Sequence, residues 1–223
     1  MTHILRYFTG LVLSVIAASI QAQELNPLIE TQWGQGEPYN MYSPKDSLSG
    51  RNVLAGCGPI AMAQVIRYLQ QPAVSPSGDK YQWALMAQQP SNQQEASAIA
   101  KLVADCGVNA FTSYGKERSG TKTINIVNAL KKCFGYNPYI FIVKRDQYPG
   151  DEGRRLWRRL IMNELQANRP VIVRAQHLCW SWWRPALARS QRCRVRVSAR
   201  FSILYHSDAF LYPSSQKPQA DRT

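Results

Sequence analysis

Gly56-Cys57-Gly58-Pro59-Ile60-Ala61-Met62-Ala63-Gln64-Val65-Ile66-Arg67-Tyr68 is the stretch on which the reading of this chain turns. Proline has no N–H to lose in the first turn of a helix, and its φ is already helical. Pro59 therefore suits the first helical position, with Gly58 as a tolerable cap. Ala61, Val65, Tyr68 and Leu69 fall on one helical face. Gln71-Pro72 ends the run, because the residue before a proline is pushed out of the helical region. Cys57 thus stands where a loop becomes a helix. The positive end of a helix dipole favours an anion, and the anion of a thiol is the nucleophile. Flanking glycines let a substrate backbone come close. A Cys beside Gly at such a junction is also a common structural feature, so the local motif alone leaves both readings open.

Working outward, Glu24–Gly50 is rich in Pro, Gly, Asn and Ser and reads as a looped lead-in. Downstream, a second helix is expected from the box Ser91-x-x-Gln94, a stripe of Ile99, Leu102, Val103 and Cys106, and a stop at Gly107. A third carries Ile124, Val127, Leu130 and Phe134, with Gly135 after it. Pro138–Val143 reads as a strand. A fourth helix begins at Asp151-Glu152, where carboxylates suit the dipole. Its face is Trp157, Leu160, Ile161 and Leu165; Arg169-Pro170 ends it and Val171-Ile172-Val173 starts another strand. Phe201–Tyr212 has the composition for a strand or two. Residues 213–223 read as a poorly ordered end.

The chain has 223 residues, 45% apolar and 18% charged, enough for one sizeable core. That excludes a mini-protein, a collagen-like repeat and a wholly disordered chain. The net charge of +13 would suit an anionic partner such as nucleic acid. It is unevenly spread, however: residues 1–170 hold 18 Lys and Arg against 12 Asp and Glu, and residues 171–223 hold 9 against 2. A break at one point along the chain calls for another explanation than a binding face. Met1–Arg6 is weakly basic, Tyr7–Ile20 is apolar, and small residues lead to Ala22. This is the layout of a secretory signal over residues 1–22, too short for a comfortable membrane span; a buried N-terminal helix is the alternative. The chain is expected to work secreted or in the periplasm, with no stable membrane anchor. The cysteines are Cys57, Cys106, Cys133, Cys179 and Cys193, an odd set without metal-site spacing. No metal and no cofactor are expected. Cys106 and Cys133 sit on apolar helix faces and read as buried thiols.

Trp33-Gly34-Gln35-Gly36-Glu37-Pro38-Tyr39-Asn40, a spacer, and then the Cys57 segment resemble the streptopain family of bacterial cysteine peptidases, peptidase family C10. Further matches follow in order: Asp105-Cys106-Gly107, Ser113-Tyr114-Gly115, Ser119-Gly120, Ala129-Leu130, Phe134-Gly135-Tyr136, and Arg145 to Val171. The resemblance covers about Gln32 to Val173. It implies an α+β, papain-like fold, with a helical N-terminal half packed on an antiparallel sheet. It implies hydrolysis of peptide bonds through a Cys thiolate and an acyl-enzyme, with a protein or peptide as substrate. By it Cys57 matches the nucleophile and Gln35 the side-chain donor of the oxyanion hole, beside the N–H of Cys57. Tyr114, Gly115, Ser119 and Gly120 would line the substrate cleft. Nucleic acid is not expected as a partner.

The family pattern stops after residue 173. A thiolate peptidase needs a His to pair with Cys and then protonate the leaving amine. In the family it lies in a Gly-His-Ala-like strand, followed by a Trp-Gly-rich stretch, and neither is present here. His177 is nearest the expected place, between Gln176 and Leu178; His206 comes too late. Residues 177–200 are instead dominated by Arg, Cys, Trp and Ser. Tryptophan has the single codon TGG, so Trp180-Ser181-Trp182 with a TCA serine, read one base forward, gives Gly-His-Gly. The expected organisation is therefore a signal over 1–22, a catalytic domain over 23–173 and a divergent basic tail over 174–223 produced by a shifted reading frame. The sheet would be incomplete, stability low, and turnover slight or absent. The alternative is a catalytically dead relative that binds peptides or a cognate peptidase. Only Gln23–Thr31 lies between the signal and the first family motif. That is too short for an inhibitory prodomain, so inhibition would fall to a separate inhibitor protein or be unneeded.

Overall fold

Helix α1 spans Cys57–Leu69 with Gly56 at its N-cap. Every residue from Gly58 to Ile66 is buried, so α1 is enclosed on all sides and runs through the middle of the core rather than along its surface. It ends when Gln70 turns left-handed at φ 51° and returns its N–H to the Ile66 carbonyl. The computed structural model describes residues 27–175 and 207–211. The expectations for residues 1–22, His177, Cys179, Cys193, His206 and 213–223 lie outside the described residues.

Helix α2 spans Gln93–Asn109 and packs its face of Ile99, Leu102, Val103 and Cys106 against α1. Two details differ from the sequence reading. The cap is Asn92, whose side chain accepts the Glu95 N–H at 2.9 Å, while the Glu95 carboxylate reaches back to Ser91. The capping box is thus one residue later than Ser91-x-x-Gln94. The helix also continues through Gly107, because that glycine is needed for contact and not for a turn: the Tyr114 hydroxyl lies where its Cβ would be. The chain leaves the helix at Ala110 and turns at Phe111, φ 49°.

Helix α3 spans Thr123–Lys132. Its buried stripe is Thr123, Ile126, Val127 and Leu130, spaced i, i+3, i+4, i+7; Ile124, expected inside, is half exposed. Cys133, expected as a buried thiol, is exposed. The helix has ended by then, and Phe134, with its N–H on the Ala129 carbonyl, takes the core position instead.

Strand β1 is Phe141–Lys144, helix α4 is Gly150–Gln166, β2 is Val173–Ala175 and β3 is Ser207–Leu211. The three strands form an antiparallel sheet in the order β1-β3-β2. Ala209 pairs with Val143 on one side and Val173 on the other. Successive residues of a strand face opposite sides, and the core divides accordingly. Ile142 and Ile172 pack with α1, α2 and α3, whereas Val143 and Val171 pack with Trp157 and Ile161 of α4. The sheet therefore stands between the helical half and α4. The expected boundary after residue 173 falls inside β2, and the strand expected within Phe201–Tyr212 is β3. A partly buried ion pair, Arg169 to Glu164 at 2.6 and 2.9 Å, holds the turn from α4 into the approach to β2.

Candidate active site

Two loops converge on the start of α1. The first carries Gln35. Its carbonyl accepts the Ala55 N–H at 2.9 Å, which sets Gln35 beside the segment that enters Cys57 two residues later. Trp33, buried, anchors this loop by donating its indole N–H to the Ala87 carbonyl. The intervening turn is held by two asparagines. Asn40 Nδ2 donates to the Asn52 and Val53 carbonyls, and Asn52 Nδ2 donates to those of Asn40, Met41 and Ser43. The sequence reading assigned neither asparagine a role. An amide side chain that satisfies several backbone groups has no local signature, since its partners sit 9 to 13 residues away.

Cys57 is half-buried at the first position of α1. The unpaired N–H groups of a helix's first turn make this the part of the element best suited to a developing negative charge. Inside α1, the buried Gln64 accepts from the Thr31 hydroxyl at 3.0 Å, a further tie between the lead-in segment and the helix.

The second loop is the hairpin 112–121. Ser113 and Gly120 exchange both backbone hydrogen bonds, at 2.9 and 3.0 Å. The Gly115 N–H donates to Ser119 Oγ at 3.3 Å, and the Thr112 and Thr121 hydroxyls are 2.7 Å apart. Of the four residues expected to line a cleft, Ser119 is buried against Gly56, next to Cys57. Gly115 and Gly120 lie on the hairpin beside it. The Tyr114 ring turns toward α2, where burial pushes its phenol above the usual range. The structure thus brings Cys57, Gln35 and Ser119 to one end of α1 and places Tyr114 against Gly107. Among the described residues no group of three or more His, Cys, Asp or Glu is arranged to hold a metal ion.

β2 adds one link to this end. Arg174 Nη1 donates to the buried Thr123 hydroxyl at 3.0 Å, joining the strand to the start of α3. Among the described residues no helix is long and apolar enough to cross a membrane.

Comparison with known proteins is consistent with this geometry. A profile of the Peptidase C10 family matches residues 33–181. The thiol protease/hemagglutinin PrtT of Porphyromonas gingivalis is 27% identical over 161 residues, which is 62% of this chain and 18% of that protein. Streptopain of Streptococcus pyogenes serotype M1 is 24% identical over 192 residues, 69% of this chain and 47% of that protein. The chain therefore spans about half the length of streptopain and under a fifth of PrtT. Among solved structures, active wild-type interpain A cysteine protease of Prevotella intermedia superposes with a TM-score of 0.59 at 30% identity, over 68% of this chain and 70% of that one. A prointerpain A fragment from the same organism gives 0.59 at 29%, over 70% and 56%.

Proposed function

The chain belongs to the peptidase C10 family, and from that premise we propose that it is a secreted cysteine endopeptidase acting on protein or peptide substrates. Its α+β fold, with a short antiparallel sheet between helices, is the papain-like fold of the cysteine proteases it superposes on. The observation that carries the reading is the position of Cys57: the first residue of a buried helix, half-exposed, with Gln35 tied to Ala55 just before it.

The Cys57 sulfur attacks the scissile carbonyl carbon, and the electron pair of the C=O bond moves to oxygen. The Cys57 N–H and the Gln35 side-chain amide donate to that oxyanion. Collapse of the intermediate breaks the C–N bond, and the amine leaves with the proton that the candidate base, His177, took from the Cys57 thiol as it attacked. Water then attacks the thioester and frees the acid and the thiol. Gly115, Ser119 and Gly120 are assigned to the substrate side of this end of α1, while Tyr114, turned against Gly107, anchors the hairpin. Secretion rests on residues 1–22.

Purified full chain incubated with a denatured protein substrate tests the reading. Cleavage is expected to vanish in Cys57→Ala and to fall about 10²–10³-fold in kcat in Gln35→Ala. Cleavage that survives Cys57→Ala refutes it. The lack of the Gly-His-Ala-like and Trp-Gly-rich segments favours one second reading, a dead relative that binds peptides or a cognate peptidase. Peptide binding insensitive to Cys57→Ala, without turnover by the parent chain, identifies that case.

A further inference from the structure

Both neighbours of Cys57 are glycines, and one hairpin presses on both. Gly56 has φ 93°, where a side chain would be strained by the backbone alone. A Cβ there would also stand 3.3 Å from both Cβ and the carbonyl oxygen of Ser119. Gly58 lies inside the helix, where the backbone makes no demand for glycine. Its Cβ would meet Thr121 Cβ at 2.9 Å, Thr121 Oγ1 at 3.2 Å and Ile126 Cδ1 at 3.2 Å. Glycine is required at Gly58 by what lies against it. The hairpin that does the pressing is stiff: it has its own Ser113–Gly120 pair and the Thr112–Thr121 hydroxyl bond. It is anchored to α2 by the Thr112 N–H on the Gly107 carbonyl and by Tyr114 against Gly107.

We infer that the 112–121 hairpin is a clamp that fixes the backbone on both sides of Cys57, and that Thr121 is a positioning residue for the Cys57 N–H. This rests on Cys57 being the nucleophile proposed above. An oxyanion donor works only within about 2.7–3.1 Å of the charge it meets, and a misplacement of about 1 Å costs on the order of 10²-fold. Two glycines without side chains of their own to wedge them leave that placement to the hairpin.

Four variants separate the clamp from general stability. Thr121→Val keeps a branched side chain against Gly58 and removes the bond to Thr112, whereas Thr121→Ser keeps the hydroxyl. Gly58→Ala forces the clash, and Gly58→Ala combined with Thr121→Gly relieves it. Amide hydrogen exchange over residues 54–60 is read against that over 93–109. Affinity for a peptidyl aldehyde, whose hemithioacetal needs the oxyanion donors, is read against the rate of alkylation by iodoacetamide, which does not. In Thr121→Val and Gly58→Ala, exchange over 54–60 is expected to speed up about tenfold or more, and aldehyde affinity to fall about tenfold or more. Exchange over 93–109 and the iodoacetamide rate should stay within about twofold. Thr121→Ser should return toward the parent, and the double variant, which sheds the clash but also the bond to Thr112, should fall no further than Thr121→Val. Unchanged exchange over 54–60, or equal acceleration in both segments, overturns the clamp. A parent chain that binds no aldehyde sinks the peptidase reading instead, and the exchange comparison still decides the clamp.

Discussion

Asp105 sits half-buried on α2 and accepts a hydrogen bond from the Tyr81 hydroxyl at 2.8 Å. Burial raises its carboxyl above the usual range. Asp79 adds to the rise, while the Tyr81 bond and Lys101 oppose it. Tyr81 is pushed far above the normal phenol range, first by its own burial and then by Asp105, so it remains a donor at any working pH. The folded state thus holds the Asp105 proton more tightly than the unfolded state does. Its stabilising contribution is present below the unfolded carboxyl value of about 3.9 and is lost as pH climbs through the higher folded value. Asn at this position can still accept from Tyr81 and does not titrate. Urea unfolding of the parent and of Asp105→Asn at several pH values is therefore expected to show the variant gaining relative stability as pH rises from about 4 toward neutrality. A difference that stays flat, or runs the other way, contradicts the assignment. The same local burial explains why Cys106, one residue on, is no rival to Cys57: it is fully buried, and its thiol is pushed well up.

At the scale of the element, α2 begins with a reciprocal cap that can be removed cleanly. Asn92 accepts the Glu95 N–H and is itself exposed, so Asn92→Ala removes a cap without opening a cavity. The expected loss is about 1 kcal/mol in denaturant unfolding, with Ser91→Ala costing less because the Ser91 hydroxyl meets side chains, those of Glu95 and Asn92, and no backbone N–H of the first turn. Both box partners were visible in the sequence, and the register was misread by one residue because Ser91 and Asn92 are equally good caps. The same kind of ambiguity misplaced the face of α3. Ile124 looks like the start of an apolar stripe until Thr123, buried under the Arg174 hydrogen bond, is counted in it. Helix α1 was legible because Pro59 and Pro72 mark its two ends, although its cap is Gly56 rather than Gly58 and Pro59 is its third residue rather than its first. The place of Cys57 at the loop-to-helix junction was legible in the same motif. The clamp was not, since Gly58 meets Thr121 only once the chain between them has folded, and nothing in either segment announces the other.

On the scale of the whole molecule, the sheet is completed by the last described strand, and it is the central one. β1 and β2 touch no strand but β3 among the described residues, and α4 packs its Trp157 and Ile161 on Val143 and Val171, outside that three-strand ladder's other face. The residues after 173 looked foreign by composition, yet the backbone of 207–211 pairs with strands on both of its sides. Truncation after residue 206 removes the strand outright. It leaves β1 and β2 with unpaired inner edges that template aggregation, and a melting point lower by on the order of 10 °C or more is expected, with loss of solubility. Thermal unfolding of the full and truncated chains measures this directly. Equal melting of the two would mean that the sheet does not depend on β3, and that residues 207–211 contribute nothing to the body that holds Cys57.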